Sequence, residues 1–91
     1  MTDSNRVGRI RAALEKAFAP QRLVIADESH QHAGHTGAAS GLGHFHVEIV
    51  SSAFSGQSLL ARHRLVYATL GDLMNTDIHA LSITAKIPAE T

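Results

Sequence analysis

The apolar positions of this chain recur with two different periods. Val7, Ile10, Leu14, Ala17 and Phe18 stand three and four residues apart, which predicts an amphipathic helix. Asp3 or Ser4 offers its first amides a side-chain oxygen. Pro20 stops it, because the residue before a proline avoids the helical region. Arg6, Arg9 and Arg11 fall largely off the apolar stripe and read as a solvated face. Arg22 to Ala26 is short, apolar and partly β-branched, and predicts a strand. From His44 the period becomes two: Phe45, Val47 and Ile49 face one way, and His44, His46 and Glu48 the other. Ser51 to Gly56 reads as a turn, with Gly56 able to take a positive φ.

A second helix is expected from about Ser58. Leu59, His63, Val66 and Leu70 form its apolar row, with Leu60 and Tyr67 beside it and Arg62 and Arg64 flanking it. Gly71 ends or kinks this helix, and Asp72, Leu73 and Met74 have room for one further turn. Ile78 to Ile87 returns to period two, with His79, Leu81, Ile83, Ala85 and Ile87 on the apolar parity, and Pro88 stops it. The order helix, strand, strand, helix, short helix, strand predicts a two-layer α+β domain. Its sheet has three strands, the first two antiparallel and the last parallel through a helical crossover, with the helices on one face.

Residues 30–43 break both periods. They hold His30, His32 and His35 and glycines at 34, 37, 41 and 43, which reads as a long flexible loop. Long loops in small domains often carry function.

Composition narrows the chemistry. At 91 residues the whole chain, 1–91, is a single small domain. Eight Lys and Arg balance eight Asp and Glu, so no excess positive charge draws nucleic acid or anionic membrane. The absence of cysteine removes disulfides, a thiol nucleophile and any iron–sulfur cluster held by this chain's own thiolates. Apolar runs are too short to span a membrane, and Met1 to Arg6 is polar, so a cytoplasmic protein is the expectation. No Gly-x-Ser-x-Gly elbow occurs. Gly41-Leu42-Gly43 leads into a strand, whereas a phosphate cradle needs a helix start. The chain is not expected to be an enzyme.

Histidine is what stands out. There are seven, five of them between His30 and His46. His30-x-His32-x-x-His35 reads as a solvated His-rich loop, a ligand set completed by a partner or a self-contained zinc site, the last disfavoured because structural zinc sites generally pair histidine with cysteine. His79 is either a hydrogen-bonded residue at a strand boundary or a ligand on a rigid element. His44 and His46 belong to a polar face, and His63 to an apolar row, where a packed, hydrogen-bonded ring is the ordinary reading. Arg62 and Arg64 are surface charges able to position phosphates.

Taken together, Phe54-x-Gly56, Arg62-His63-Arg64-x-Val66-Tyr67, Ile78-His79-Ala80-Leu81, the loop with His32 and the strand His44-Phe45-x-Val47 resemble the BolA family in order and spacing, over roughly residues 6 to 88. The resemblance implies a KH-like domain of order α-β-β-α-α-β. It also implies partnership with a monothiol glutaredoxin in a heterodimer that shares a [2Fe–2S] cluster. The glutaredoxin and a bound glutathione would supply thiolates. This chain would supply His79 and a loop histidine, by position His32, with His30 and His35 close enough to compete. Histidine and thiolate ligands do coexist in Rieske-type clusters. The family's second theme is transcriptional regulation through double-stranded DNA, for which Arg62 and Arg64 are the candidates. Here the KH clamp, Gly-x-x-Gly, is replaced by Gly71-Asp72-Leu73-Met74, a departure from single-strand binding. Without its partner the chain is expected to be a monomer or weak homodimer.

Overall fold

A computed structural model describes residues 5–28 and 43–91. Helix α1 spans Arg6–Phe18, strand β1 Arg22–Asp27 and strand β2 Gly43–Val50. A 3-10 turn, Ser52–Phe54, leads to helix α2, Leu59–Leu70. A single turn of helix, α3, covers Leu73–Thr76 before strand β3, Ile78–Lys86, and a last 3-10 turn covers Pro88–Glu90. The expected order is therefore the observed one.

The sheet has the order β1-β2-β3, with β1 antiparallel and β3 parallel to β2. Leu23 and Ile25 of β1, Phe45, Val47 and Ile49 of β2, and Leu81, Ile83 and Ala85 of β3 face the helices and build the core with Ile10, Leu14, Phe18, Val66 and Leu70. Helix α1 packs on β1 and α2, and α2 packs on β3, so the helices cover one face. The other face carries His44, His46 and Glu48 beside Ala80, Ser82 and Thr84.

Local chemistry explains the boundaries. Asp3 and Ser4, the proposed caps of α1, lie outside the described residues, and Asn5 makes no side-chain cap bond. At the other end Ala19 takes the left-handed conformation (φ 43°) and returns its N–H to the Glu15 carbonyl, just before Pro20. Ser51 Oγ donates to the Phe18 carbonyl (2.6 Å) and accepts from Ala53 N–H (3.0 Å), which joins the end of α1 to the turn after β2. Gly56 has φ 78°, as the turn requires. Within that turn Phe54 is fully buried against Phe18, ring centroids 4.9 Å apart, a core position that the turn pattern gave no hint of. Ser58 caps α2 by accepting from Ala61 N–H.

Four expectations about faces are corrected. On α1 the buried set is Ile10, Leu14 and Phe18, while Ala17 is exposed. Arg6 and Arg9 are not simply a solvated face. Both donate to the carboxylate of Asp77, a residue 6 % exposed at the junction of α3 and β3. On α2 the inward residues are Arg62, Val66 and Leu70, whereas Leu59 and Leu60 are 65 % and 60 % exposed. Arg62, expected on the surface, is 6 % exposed. It turns inward because partners wait for it. Its guanidinium donates to the carbonyls of Gln57 and Ala85, both at 3.0 Å, and to both oxygens of Glu90 at 2.7 and 3.2 Å. A buried charge that is fully hydrogen-bonded escapes most of its desolvation cost.

Candidate functional site

The last strand begins with an irregularity. Gly43 pairs with Ile78, and His44 then pairs with Ala80, so the register shifts by one and His79 is the extra residue. Ile78 takes the inward seat and is 1 % exposed. His79 is displaced to the surface. Its place on the apolar parity of β3 is thus corrected: the parity holds from Leu81 onward and is broken by the bulge before it. An imidazole at that inward seat would need a hydrogen-bond partner among aliphatic neighbours, whereas isoleucine needs none.

His79 lands beside His44. Their ring centroids are 5.0 Å apart and the rings are inclined by 49°. His44 is half-buried on the open face of β2, with its Nε2 shielded from solvent. Two residues further, His46 Nδ1 and Ser82 Oγ share a hydrogen bond of 2.6 Å. An open hollow of about 230 Å³ lies along this end, lined by Glu28, His44, Phe45, Ala80, Leu81 and Ser82. The N–H of Glu28 donates to the His44 carbonyl, and that of Gly43 to the Asp77 carbonyl. Both ends of the segment between Glu28 and Gly43 are therefore fastened at the histidine pair. His30, His32 and His35 all lie outside the described residues. Among the described residues no group of three or more His, Cys, Asp or Glu side chains is placed to hold a metal ion.

His44 is the residue that sequence reasoning undervalued. Its parity put it on the polar face, where it is found, but its nearness to His79 follows from the register shift. The adjacent pairing of β2 with the last strand was the one available signal.

The other candidates separate. Arg64 is exposed and lines an open hollow of about 380 Å³ with Leu60, Ala61 and Leu65. Arg62 is turned away from it and held by Glu90. That contact raises the pKa of Arg62 above its ordinary value. It holds the Glu90 carboxyl below the usual range, with the Ile87 N–H adding to the effect. Asp77 is likewise held low, first by the hydrogen bond from Arg9, against the opposing effect of burial, with Thr76 and Arg6 assisting. His63 is half-buried on α2. The stretch Gly71-Asp72-Leu73-Met74 forms the link into α3, and Gly71 has φ 48°.

A two-layer α+β domain with a mixed three-stranded sheet and a histidine displayed at the start of the last strand defines the class. The BolA family model, described as BolA-like protein, matches residues 14–90, and the chain belongs to this family. It is 48 % identical over 90 residues to Protein BOLA1, chloroplastic, of Arabidopsis thaliana, covering 96 % of this chain and 56 % of that protein. It is 49 % identical over 87 residues to SufE-like protein 1, chloroplastic/mitochondrial, of the same plant, covering 90 % of this chain and 24 % of that one. The chain thus spans about half of the first relative and a quarter of the second. The DNA-binding transcriptional regulator BolA of Escherichia coli (strain K12) is 41 % identical over 75 residues, 82 % of this chain and 69 % of that protein. Among solved structures, BolA1 from Arabidopsis thaliana superposes with a TM-score of 0.82 at 46 % identity, covering 96 % of both chains. The BolA domain of SufE1 superposes at 0.83 with 50 % identity, covering 94 % and 95 %. No helix among the described residues is long and apolar enough to cross a membrane.

Proposed function

We propose that this chain is a non-enzymatic partner of a monothiol glutaredoxin, with which it shares a [2Fe–2S] cluster in cluster assembly, delivery or iron sensing. The observation that carries the reading is the bulge. It lifts His79 out of the core to an exposed position where the 28–43 connection begins and ends. A chain without cysteine supplies no thiolate, so the thiolates must come from elsewhere. The donor set fits half a cluster. His79 would be one ligand and a histidine of the connection the other, His32 by its place in the sequence. His32 is four residues beyond Glu28, a reach of about 14 Å when extended, which spans the end of the sheet. The cluster, when bound, supplies transferable iron and sulfide and one-electron redox chemistry. The protein's own part is to hold His79 at the exposed start of a hydrogen-bonded strand, where a partner's cluster can reach its ring.

The test is co-expression with a monothiol glutaredoxin, followed by anaerobic visible absorption and circular dichroism. The expected result is a cluster spectrum unlike that of the glutaredoxin alone, altered or made labile by His79→Ala and by His32→Ala. The absence of any new spectrum, together with no complex on gel filtration, overturns the reading.

A second reading, binding of double-stranded DNA, is supported by the name of the Escherichia coli relative and by the exposed Arg64 on α2. Arg62 is withdrawn from that reading because its donors are engaged inside the fold. Sequence-preferring affinity that survives moderate salt and falls with Arg64→Ala is the expected result.

A further inference from the structure

We infer that His44 and His79 together form a binding site for one divalent transition-metal ion of the zinc, nickel or copper class, filled by this chain alone and without the histidines of residues 30–35. The argument begins with spacing. A zinc–imidazole bond is about 2.0–2.1 Å, so a ring centre lies about 3.2 Å from the ion. Two rings sharing a tetrahedral ion therefore stand about 5 Å apart. The observed separation is 5.0 Å. The second point is rigidity. His44 lies in the paired part of β2, and His79 is held between two paired residues of β3, Ile78 opposite Gly43 and Ala80 opposite His44. The entropy of bringing two ligands together is thus met by folding, as it is not for three histidines in a glycine-rich stretch.

The third point is chemistry. Imidazole without thiolate suits zinc, copper and nickel. Among the described residues no third side chain completes the set, so water must fill the remaining positions. The open hollow of about 230 Å³ beside His44 has room for it. The ring of His79 is exposed on its bulge and free to turn toward an ion. A site with two protein ligands binds loosely and exchanges readily, as befits a control on a nitrogen that another ligand also needs. The site does not rest on the glutaredoxin reading. Its consequence does: if His79 ligates a shared cluster, a metal ion on the pair and a cluster exclude each other.

The experiment is calorimetric titration of the whole chain with Ni²⁺ and with Zn²⁺, each alone. The background carries His30→Gln, His32→Gln and His35→Gln, which removes the histidines of residues 30–35, and His46→Gln and His63→Gln, so that only the strand-borne pair is scored. One ion per chain is expected, with affinity lowered at least tenfold by adding His79→Ala and equally by adding His44→Gln. His79 is exposed, so His79→Ala should melt at the same temperature as its parent without metal. If His44→Gln is destabilised, His79→Ala alone decides. No binding in the substituted background, or binding unaffected by His79→Ala, overturns the site. Cluster formation with glutaredoxin is measured separately on the chain that keeps its loop histidines. A cluster lost in His79→Ala while ion binding persists refutes the pair and leaves the cluster reading standing. Ion binding lost in His79→Ala with the cluster spectrum unchanged does the reverse. Where both are lost, saturating Zn²⁺ is expected to prevent the cluster spectrum from forming.

Discussion

The two ends of β3 treat a polar side chain in opposite ways. At the Ala85 end a guanidinium is taken inside: Arg62 reaches under α2 to the Ala85 carbonyl and is clamped by Glu90 from the last turn. At the Ile78 end an imidazole is put outside, because the bulge gives the inward seat to Ile78 and the surface to His79. The clamp closes its end with four hydrogen bonds to one side chain. The bulge leaves its end open, with two histidines in contact and a hollow beside His44. A charge enters a core only where carbonyls and a carboxylate are already aimed at it. A ring with no such partner is better displaced. One end of the strand is thus closed over a charge, and the other displays a pair of imidazoles at the surface.

The comparison breaks most visibly at the clamp. Arg62→Ala leaves the Ala85 carbonyl and the Glu90 carboxylate without their donor and opens a void under α2. A fall in melting temperature on the order of ten degrees or more is expected, followed by circular dichroism. Arg62→Lys should restore little, because one ammonium cannot reach partners arranged for a fork.

Adjacent residues at the bulge should differ sharply. Ile78→Ala removes a side chain from the core and is expected to cost about 2–4 kcal/mol in urea unfolding. His79→Ala, one residue on, should cost less than about 0.5 kcal/mol, the ordinary range for a surface substitution. A large loss in His79→Ala would mean that the ring is structural after all.

The smallest of these effects is the acid response of the charged contacts. Glu90 and Asp77 both have carboxyl pKa values below their ordinary 4.5 and 3.8 when folded. The unfolded chain therefore binds protons first as pH falls, and each contact's stabilisation is complete above the ordinary values and lost as pH descends through the depressed ones. Melting temperature should hold steady from pH 7 to about 5 and then decline. Glu90→Gln should flatten part of the decline, as Asp77→Asn should flatten another part.

Much of this was legible in the linear chain. The strand Phe45-x-Val47-x-Ile49 faces the core as its period demands, and Pro20, Gly56 and Ser58 punctuate the elements where their backbone chemistry requires. The motif around Ile78-His79-Ala80-Leu81 marked the family. What period and propensity lacked was the partner. Leu59 and Leu60 look more apolar than Arg62, yet they stand outside, because the direction of α2 is set by Val66, Leu70 and the carbonyls beneath Arg62. Phe54 hid in a turn, and Asp77 hid the two arginines that it gathers.

The sequence by itself determined the alternation of helices and strands, the core face of each regular strand, the absence of thiolate donors and the family. These depend on near neighbours along the chain or on composition. Only the tertiary structure decided that Arg62 is inside, that His79 is outside and that His44 stands against it. Each of those outcomes depends on a contact between residues far apart in sequence, and on one extra residue in a strand pairing, where shifting by a single position moves a side chain from one face of the sheet to the other.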